Sequence, residues 1–339
     1  MTPLAQLLKE KIRTTGPLTV EEYMEACLYH PLHGYYTNGC NFLPAPKAGS
    51  TDAYPHDFTT APELTPLFGA TLANWVAKTW LHLGQPSPFV LLECGPGRGT
   101  LMHALLTHLQ AAHPACFAAA QPTLAEVSPA LTRLQKTTLI TFPRTQWSLT
   151  PPATPTPIIL IANELLDAFP HSQIIVEDGR IQPRTIGLNN KGELTFTQPH
   201  PQQVTEHSPQ LRTWLQALPQ SVQAAVLLDY GTDTEGPTGD TLQALHKHTK
   251  VSVFHKPGES DLTTHVNFHN VNAALAESHP HLQGQSIQPL GIFLLSHGLA
   301  SLALAQGQHS VPEATLNRLL HPKQMGTLFQ VKCYYTSRP

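Results

Sequence analysis

Three glycines at alternate positions form the pattern that first suggests chemistry in this chain: Gly95, Gly97 and Gly99. They follow the apolar run 89–92 and the acidic Glu93, and they precede residues 100–112, which contain no helix breaker. A strand, a tight turn and a helix in this order begin a nucleotide-binding α/β unit. Glycine lets the turn take positive φ angles and lets backbone approach a ligand. The free N–H groups at the start of the helix would then bind a carboxylate or a phosphate.

The spacing of the glycines leaves three interpretations open. A dinucleotide-binding fingerprint is G-x-G-x-x-G, whereas this chain has G-x-G-x-G followed by Thr100. The shorter pattern is typical of class I methyltransferases that bind S-adenosylmethionine (SAM). The third interpretation is a glycine turn that binds no ligand, and the motif alone does not decide among them.

Polar residues also end four of the predicted strands: Glu93, Glu126, Asn163 with Glu164, and Asp229. Ligands of open α/β sheets bind beyond the carboxyl ends of the strands. Glu126 follows the next strand after the glycines, where a carboxylate accepts hydrogen bonds from the two hydroxyls of a ribose. Each acid alone is better explained as a solvated strand end, but the four together indicate a ligand site.

These residues need a sheet to position them. From residue 89 onward, apolar runs alternate with helical stretches, which predicts an α/β fold with a parallel sheet. Strands are predicted at 89–92, 122–127, 158–162, 225–228, 251–254 and 328–335. Before the sheet, helices are predicted over 1–13, from Thr19 onward, and from about 62 to 81. Residues 171–220 are predicted to form a β-rich insertion with a helix near 211–218, and residues 38–56 a loop.

Composition excludes several classes of protein. The 339 residues are 41% hydrophobic and carry a net charge of -3, so there is no overall basic field for nucleic acid or an anionic membrane. No apolar run approaches ~18 residues, so no membrane span is expected. Five widely spaced cysteines without a C-x-x-C pair indicate a reducing compartment, and we expect a cytoplasmic location.

Other catalytic motifs are missing from the sequence. It contains no Walker A loop, no G-x-S-x-G elbow and no H-E-x-x-H zinc motif. The 20 histidines scatter without pattern and leave a histidine-based metal site as a minor alternative, and we predict no metal.

With these residues in view, the chain resembles the MidA-like family of SAM-dependent methyltransferases, which includes a protein-arginine methyltransferase that assembles mitochondrial complex I. The resemblance covers nearly the whole chain, in residues 23–24, 28–31, 34–36, 57–63, 67–69, 93–101, 126–128, 162–170, 229–231, 261–268 and 325–326. The chain departs from the family pattern at Asn267, where an aspartate is expected. It departs again at Leu165 and Leu166, where aromatic residues are common, and in a longer loop over 38–56.

The resemblance implies a Rossmann-like class I methyltransferase fold with a seven-stranded sheet. Residues 1–85 would form an N-terminal helical cap, and residues 86–339 the methyltransferase domain with its insertion near 171–220. The implied activity is methyl transfer from SAM to an arginine of a partner protein. The alternative is a SAM-binding assembly factor that holds a partner with little turnover. An oxidoreductase that uses NAD is disfavoured by Thr100.

The resemblance also suggests roles for single residues. The residues expected to bind SAM are Glu93, Gly95, Gly97, Gly99, Glu126 and Asn163, with Glu93 near the methionine amino group and Glu126 on the ribose. Glu164 and Asp167 are expected to be catalytic, because two carboxylates can hold a guanidinium group. In the simpler alternative, Glu164 only holds SAM and Asp167 caps a turn. Tyr35, Tyr36 and Glu63 would line the substrate side of the pocket.

Overall fold

The computed structural model describes residues 1–37, 60–236, 238–247, 249–305 and 312–336. The loop predicted over 38–56, Cys40, and residues 57–59 of one family motif lie outside these residues. None of the described helices is long and apolar enough to cross a membrane.

The chain divides into two units. The first comprises Met1–Phe58, Asp167–Trp214 and Asp233–Asn270, and the second comprises Thr59–Leu166, Leu215–Thr232 and Val271–Pro339. This division differs from the boundary expected after residue 85. The helix Pro66–His82 belongs to the second unit because it packs along the helix Thr100–Ala112. A Cβ at Gly69 would lie 2.6 Å from the Cβ of Ala104, so the glycine allows this close approach.

The second unit is built on a twisted sheet, which lies in the hydrophobic core because its strands are apolar. In spatial order its main strands are Leu282–Gly284, Phe329–Thr336, Val222–Thr232, Ile158–Asn163, Phe89–Cys94, Ala120–Ala125 and Gln146–Ser148. The last five are parallel to one another, whereas Phe329–Thr336 runs antiparallel to Val222–Thr232. Among the described residues of this unit, the short strand Gln288–Pro289 also pairs with Phe329–Thr336, so the unit adds one strand to the seven expected.

Helices cover this sheet: Ala61–Leu64, Pro66–His82, Thr100–Ala112, Pro114–Ala119, Pro129–Thr138, Leu290–Ser296, Leu299–Ala305, Glu313–Leu320 and Met325–Leu328. The helix predicted over 100–112 is confirmed. The one predicted from 62 to 81 is broken at Thr65, which has an extended backbone (φ -164°, ψ 142°). Pro66 explains the break, because the residue before a proline is sterically excluded from the helical region.

The first unit contains the N-terminal helices and most of the inserted segment. Helix Pro3–Thr15 is followed by helix Val20–Tyr29, which begins with the predicted cap at Thr19, here a full capping box with Glu22. The described residues of this unit form three small antiparallel sheets. They consist of Leu18–Thr19, Thr185–Leu188 and Leu194–Phe196; of Gln203–His207, Ser172–Glu177 and Arg180–Pro183; and of Thr249–Val251, Gln243–His246 and Asp261–Thr263. Val266–Asn267 is a further short strand. The strand predicted over 251–254 is wrong: only Val251 lies in a strand, at the end of Thr249–Val251 in the third small sheet, and residues 252–254 form a turn.

Within the described part of the chain, the boundaries between the two units fall inside three elements: the 3-10 turn Leu166–Ala168 and the helices Pro209–Gln216 and Phe268–Ser278. The strands from 172 to 207 and the helix that follows them confirm the β-rich character predicted for residues 171–220.

Candidate active site

The glycine loop (residues 95–99) connects the central strand Phe89–Cys94 to the helix Thr100–Ala112. Gly95, Gly97 and Gly99 have φ angles of 64°, 53° and 79°, in the left-handed region that favours glycine. A Cβ at Gly95 would lie 2.7 Å from the Cδ1 of Leu165. A Cβ at Gly97 would have no heavy atom within 4 Å, so the space beside this residue is open. The loop therefore presents bare backbone to a space that a ligand can enter.

Glu93 is the penultimate residue of the strand that leads into this loop, and it is only 3% exposed. Its Oε2 atom accepts no hydrogen bond from any described residue. Burial raises the pKa of Glu93 to about 8, a backbone hydrogen bond from Met102 partly offsets this shift, and the charge of Glu126 adds to it. A buried carboxylate oxygen without a partner suits a ligand that carries an ammonium group.

Glu126 follows the neighbouring strand Ala120–Ala125 and is also buried. Its Oε1 accepts a hydrogen bond from the Ser128 backbone N–H at 2.7 Å, and its Oε2 accepts one from Gln135 Nε2 at 3.0 Å. Burial raises the pKa of Glu126, and these hydrogen bonds lower it in part. Because each carboxylate oxygen can accept two hydrogen bonds, the oriented carboxylate keeps capacity for two ribose hydroxyls.

Gln135 is a residue of this site that the sequence analysis missed. It lies on the helix Pro129–Thr138, is fully buried, and donates from Nε2 to the Gly97 carbonyl oxygen at 2.8 Å as well as to Glu126. Its Oε1 accepts a hydrogen bond from Trp147 Nε1 at 3.1 Å. Gln135 therefore fixes the glycine loop relative to the carboxylate of Glu126. The available signal was its position four residues after the buried Leu131, which places both on the core face of the helix.

Asn163 and Glu164 lie at the end of the strand Ile158–Asn163. Glu164 has a φ of 51°, which is strained for a residue with a side chain, and its N–H donates to the Leu228 carbonyl at 2.9 Å. Its Oε1 accepts hydrogen bonds from the Ala61 N–H at 3.1 Å and from Asn163 Nδ2 at 3.2 Å. Burial raises the pKa of Glu164 to about 8, and nearby negative charges, chiefly that of Asp229, add to the shift. The structure thus holds a half-buried carboxylate in a fixed orientation at this strand end.

Two further acids of the second unit organise the loops around this point. Asp229 is fully buried and accepts hydrogen bonds from the backbone N–H groups of Leu166 at 2.8 Å and Tyr230 at 2.9 Å. Glu63, on the short helix Ala61–Leu64, forms an ion pair with Arg98 of the glycine loop, with 3.7 Å between Oε1 and Nε. Glu63 is therefore placed beside the glycine loop, and its predicted contact with substrate stays a prediction.

The remaining predicted site residues belong to the first unit. Tyr36 donates a hydrogen bond from its hydroxyl to Asp261 Oδ1 at 2.9 Å, and the ring of Tyr35 meets the ring of Tyr36 edge-on at 5.1 Å. Asp167 is 7% exposed, and its carbonyl oxygen accepts a hydrogen bond from the Thr264 N–H at 3.3 Å. The structure brings Asp167 and Tyr36 together within one unit, whereas it assigns Glu164 and Glu63 to the other. The catalytic roles of Glu164 and Asp167 stay predictions.

The donor set of the second unit fits SAM. It offers a buried carboxylate oxygen for an ammonium group at Glu93, an oriented carboxylate for a ribose at Glu126, and an open space beside Gly97. Among the described residues, no group of three or more His, Cys, Asp or Glu side chains is arranged to hold a metal ion.

Comparison with known proteins gives a consistent result. Residues 71–286 match the family model described as "Putative S-adenosyl-L-methionine-dependent methyltransferase". The mitochondrial protein arginine methyltransferase NDUFAF7 homolog of Drosophila melanogaster is 29% identical and aligns with 96% of this chain and 83% of its own length. Mitochondrial protein arginine methyltransferase NDUFAF7 of Xenopus tropicalis is 30% identical over 79% of this chain and 70% of its own length.

A crystal structure from Burkholderia thailandensis, described as a "likely methyl transferase" bound to S-adenosyl-homocysteine, superimposes with a TM-score of 0.82. It is 26% identical and covers 98% of this chain and 91% of its own. The predicted α/β methyltransferase fold and the predicted cofactor are thereby confirmed.

One expectation from the sequence is contradicted by these relatives. Both curated relatives are named as mitochondrial proteins, so the expected cytoplasmic location is wrong. The expectation rested on the cysteines, and the four described ones, Cys27, Cys94, Cys116 and Cys333, are indeed free and buried. Free cysteines indicate a reducing environment, but they do not distinguish one reducing compartment from another.

Proposed function

The chain belongs to the S-adenosyl-L-methionine-dependent methyltransferase family, and from that premise we propose that it methylates an arginine side chain of a partner protein. It is an enzyme whose cofactor is SAM. The arginine substrate is supported by relatives that are named protein arginine methyltransferases and that align with most of the chain.

The residues of the second unit bind and orient the cofactor in this proposal. SAM supplies a methyl group that is already activated by its sulfonium centre, so the protein has to position the reactants and place charge. Glu93 receives the methionine amino group at its buried Oε2 atom. Glu126, held by Gln135 and the Ser128 N–H, accepts the ribose hydroxyls. The backbone of the glycine loop near Gly97 and Gly99 faces the methionine carboxylate.

The proposal for the substrate chemistry rests on the backbone conformation and the fixed carboxylate of Glu164. Strained backbone persists only where the surrounding structure enforces it, and it clusters at active sites. At Glu164 the strained backbone orients a half-buried carboxylate whose pKa is about 8. A guanidinium group has five N–H donors and no acceptor, so it matches carboxylates and stabilises their charged form. In this proposal Glu164 accepts an N–H group of the guanidinium, and its carboxylate takes the proton lost by the nitrogen that gains the methyl group.

Methyl transfer by the purified chain tests this proposal. The enzyme is incubated with methyl-labelled SAM and a protein extract, and the labelled protein is hydrolysed to amino acids. We expect the label in methylated arginine, and we expect Glu164→Gln to lower transfer while SAM affinity changes by a few-fold at most. Label in another amino acid would contradict the arginine proposal. SAM binding without any transfer would favour the alternative of a SAM-binding assembly factor.

A further inference from the structure

The first unit contains a compact group of aromatic and acidic side chains, which we call the tyrosine–aspartate cluster: Tyr29, Tyr35, Tyr36, Asp167 and Asp261. Three of its members, Tyr35, Tyr36 and Asp167, are site residues predicted from the sequence, whereas Tyr29 and Asp261 have no predicted role. Asp261 is 2% exposed and begins the strand Asp261–Thr263, so its position is fixed by the backbone of a small sheet.

Hydrogen bonds and ring contacts fix the geometry of the cluster. The Tyr36 hydroxyl donates to Asp261 Oδ1 at 2.9 Å, and the Tyr29 hydroxyl donates to the Ala168 carbonyl at 3.1 Å. The rings of Tyr29 and Tyr36 lie 5.7 Å apart with only 31° between their planes, and Tyr35 meets Tyr36 edge-on. Tyr29 and Tyr36 are each half-buried.

The chemistry of the cluster suits one kind of ligand. Burial, together with the charges of Asp261 and Asp167, raises the pKa of Tyr36 well above its usual value, so its hydroxyl stays protonated and keeps orienting Asp261. Carboxylate and carbonyl oxygens accept hydrogen bonds, and aromatic faces attract cations. A guanidinium is planar, stacks on aromatic rings and donates two parallel hydrogen bonds to a carboxylate, whereas an ammonium is a compact point charge.

We propose that Asp261 and the faces of Tyr29 and Tyr36 form the binding site for the guanidinium group of the substrate arginine. This inference rests on the proposed function, and it adds two specificity-determining residues, Asp261 and Tyr29, to those expected from the sequence. In this arrangement Asp261 accepts N–H groups of the guanidinium, and the Tyr36 hydroxyl holds the Asp261 carboxylate in the orientation that receives them.

Binding of a small guanidinium probe tests the inference without a known protein substrate. N-acetyl-L-arginine amide is titrated into protein carrying ¹³C-labelled tyrosine and saturated with S-adenosyl-homocysteine, and tyrosine ring signals are followed by NMR. Tyr→Phe variants assign the signals of Tyr29 and Tyr36. We expect both signals to shift with the arginine probe and to stay unchanged with N-acetyl-L-citrulline amide, which has the same shape without the charge.

Substitutions within the cluster test which of its side chains bind the probe. Asp261→Asn is expected to lower the affinity for the arginine probe by about tenfold or more, because a charge-assisted hydrogen bond is lost. Tyr36→Phe keeps the ring and should lower the affinity for the arginine probe by a few-fold. Asp178→Asn is the matched control: it removes the same charge from an exposed position of the first unit, and asparagine tolerates the left-handed backbone there (φ 48°).

The outcomes distinguish the inference from the proposed function. Melting temperature and S-adenosyl-homocysteine affinity report whether Asp261→Asn folds. If Asp261→Asn does not fold, the affinity of Tyr36→Phe for the arginine probe tests the cluster instead. If the wild-type protein methylates arginine but these variants bind the probe normally, the assignment of the cluster is overturned and the proposed function stands. If the wild-type protein methylates no arginine, the proposed function itself fails.

Discussion

Replacing Glu93 with glutamine is expected to weaken cofactor binding and to change how that binding depends on pH. The glutamine keeps the size of the side chain and removes its charge at an oxygen that no described residue hydrogen-bonds. S-adenosyl-homocysteine is the ligand of choice, because it carries the same amino group as SAM and transfers no methyl.

The expected loss of affinity in Glu93→Gln follows from the pKa of about 8 that burial gives to Glu93. At pH 7 roughly one molecule in ten carries the charged carboxylate, so binding an ammonium first costs about 1.4 kcal/mol of deprotonation. A charge-assisted hydrogen bond then contributes roughly 1.5–3 kcal/mol. The net loss in Glu93→Gln is therefore at most about fifteenfold at pH 7. At pH 8, where the deprotonation costs only about 0.4 kcal/mol, the loss grows to roughly six- to eightyfold.

The same pKa also determines whether affinity for S-adenosyl-homocysteine rises or falls with pH. The free protein holds a proton on Glu93 that the complex does not, so wild-type affinity rises with pH, by up to about tenfold per unit below pH 7. The ligand's amino group lies next to a carboxylate, so it stays protonated throughout this range. Wild-type affinity therefore rises from pH 6 to pH 8, and this rise is lost in Glu93→Gln.

Calorimetric titrations at pH 6, 7 and 8, in two buffers with different ionisation enthalpies, measure both the affinity and the proton release. Glu164 also has a pKa of about 8, so Glu164→Gln serves as the control for the source of the proton. Equal affinity and equal proton release in wild-type protein and Glu93→Gln would refute the assignment of the amino group to Glu93.

Three further substitutions test neighbouring parts of the site. Gly97→Val should abolish S-adenosyl-homocysteine binding by calorimetry while circular dichroism stays native, since the open space receives the side chain and the φ of 53° costs only about 1–2 kcal/mol of strain; wild-type affinity would place the ligand elsewhere. Glu126→Ala should weaken that ligand more than Glu164→Ala does, because it removes the carboxylate assigned to two ribose hydroxyls; the opposite ranking would exclude that assignment. Asp167→Asn should change SAM affinity by a few-fold at most and reduce methyl transfer at saturating SAM about a hundredfold; transfer at the wild-type rate would leave Asp167 as a turn residue.

Local patterns in the sequence were sufficient to predict the strand, the loop and the helix on which the proposed cofactor site is built. The glycine loop, Glu93 and Glu126 lie within 34 consecutive residues (93–126), and the loop connects the strand and helix that the pattern predicts. Apolar runs identified the parallel strands because strands buried on both faces need continuous hydrophobic sequence. For the same reason the final strand Phe329–Thr336 was found close to its position.

Features that depend on distant pairs could not be predicted in this way. Tyr36 and Asp261 are 225 residues apart in sequence, and no periodicity connects them. Gln135 looks like an ordinary polar helix residue until its three hydrogen bonds are seen. The division into units follows from the packing of the helix Pro66–His82, which its amphipathic pattern does not specify.

The central claim is that this enzyme methylates arginine, and the most direct measurement is mass spectrometry of proteins incubated with the purified enzyme and deuterated-methyl SAM. We expect labelled methyl groups on arginine residues of a small set of proteins, and we expect no label when Gly97→Val replaces the wild-type enzyme. Labelled methyl groups confined to other residue types, or equal labelling by Gly97→Val, would contradict it.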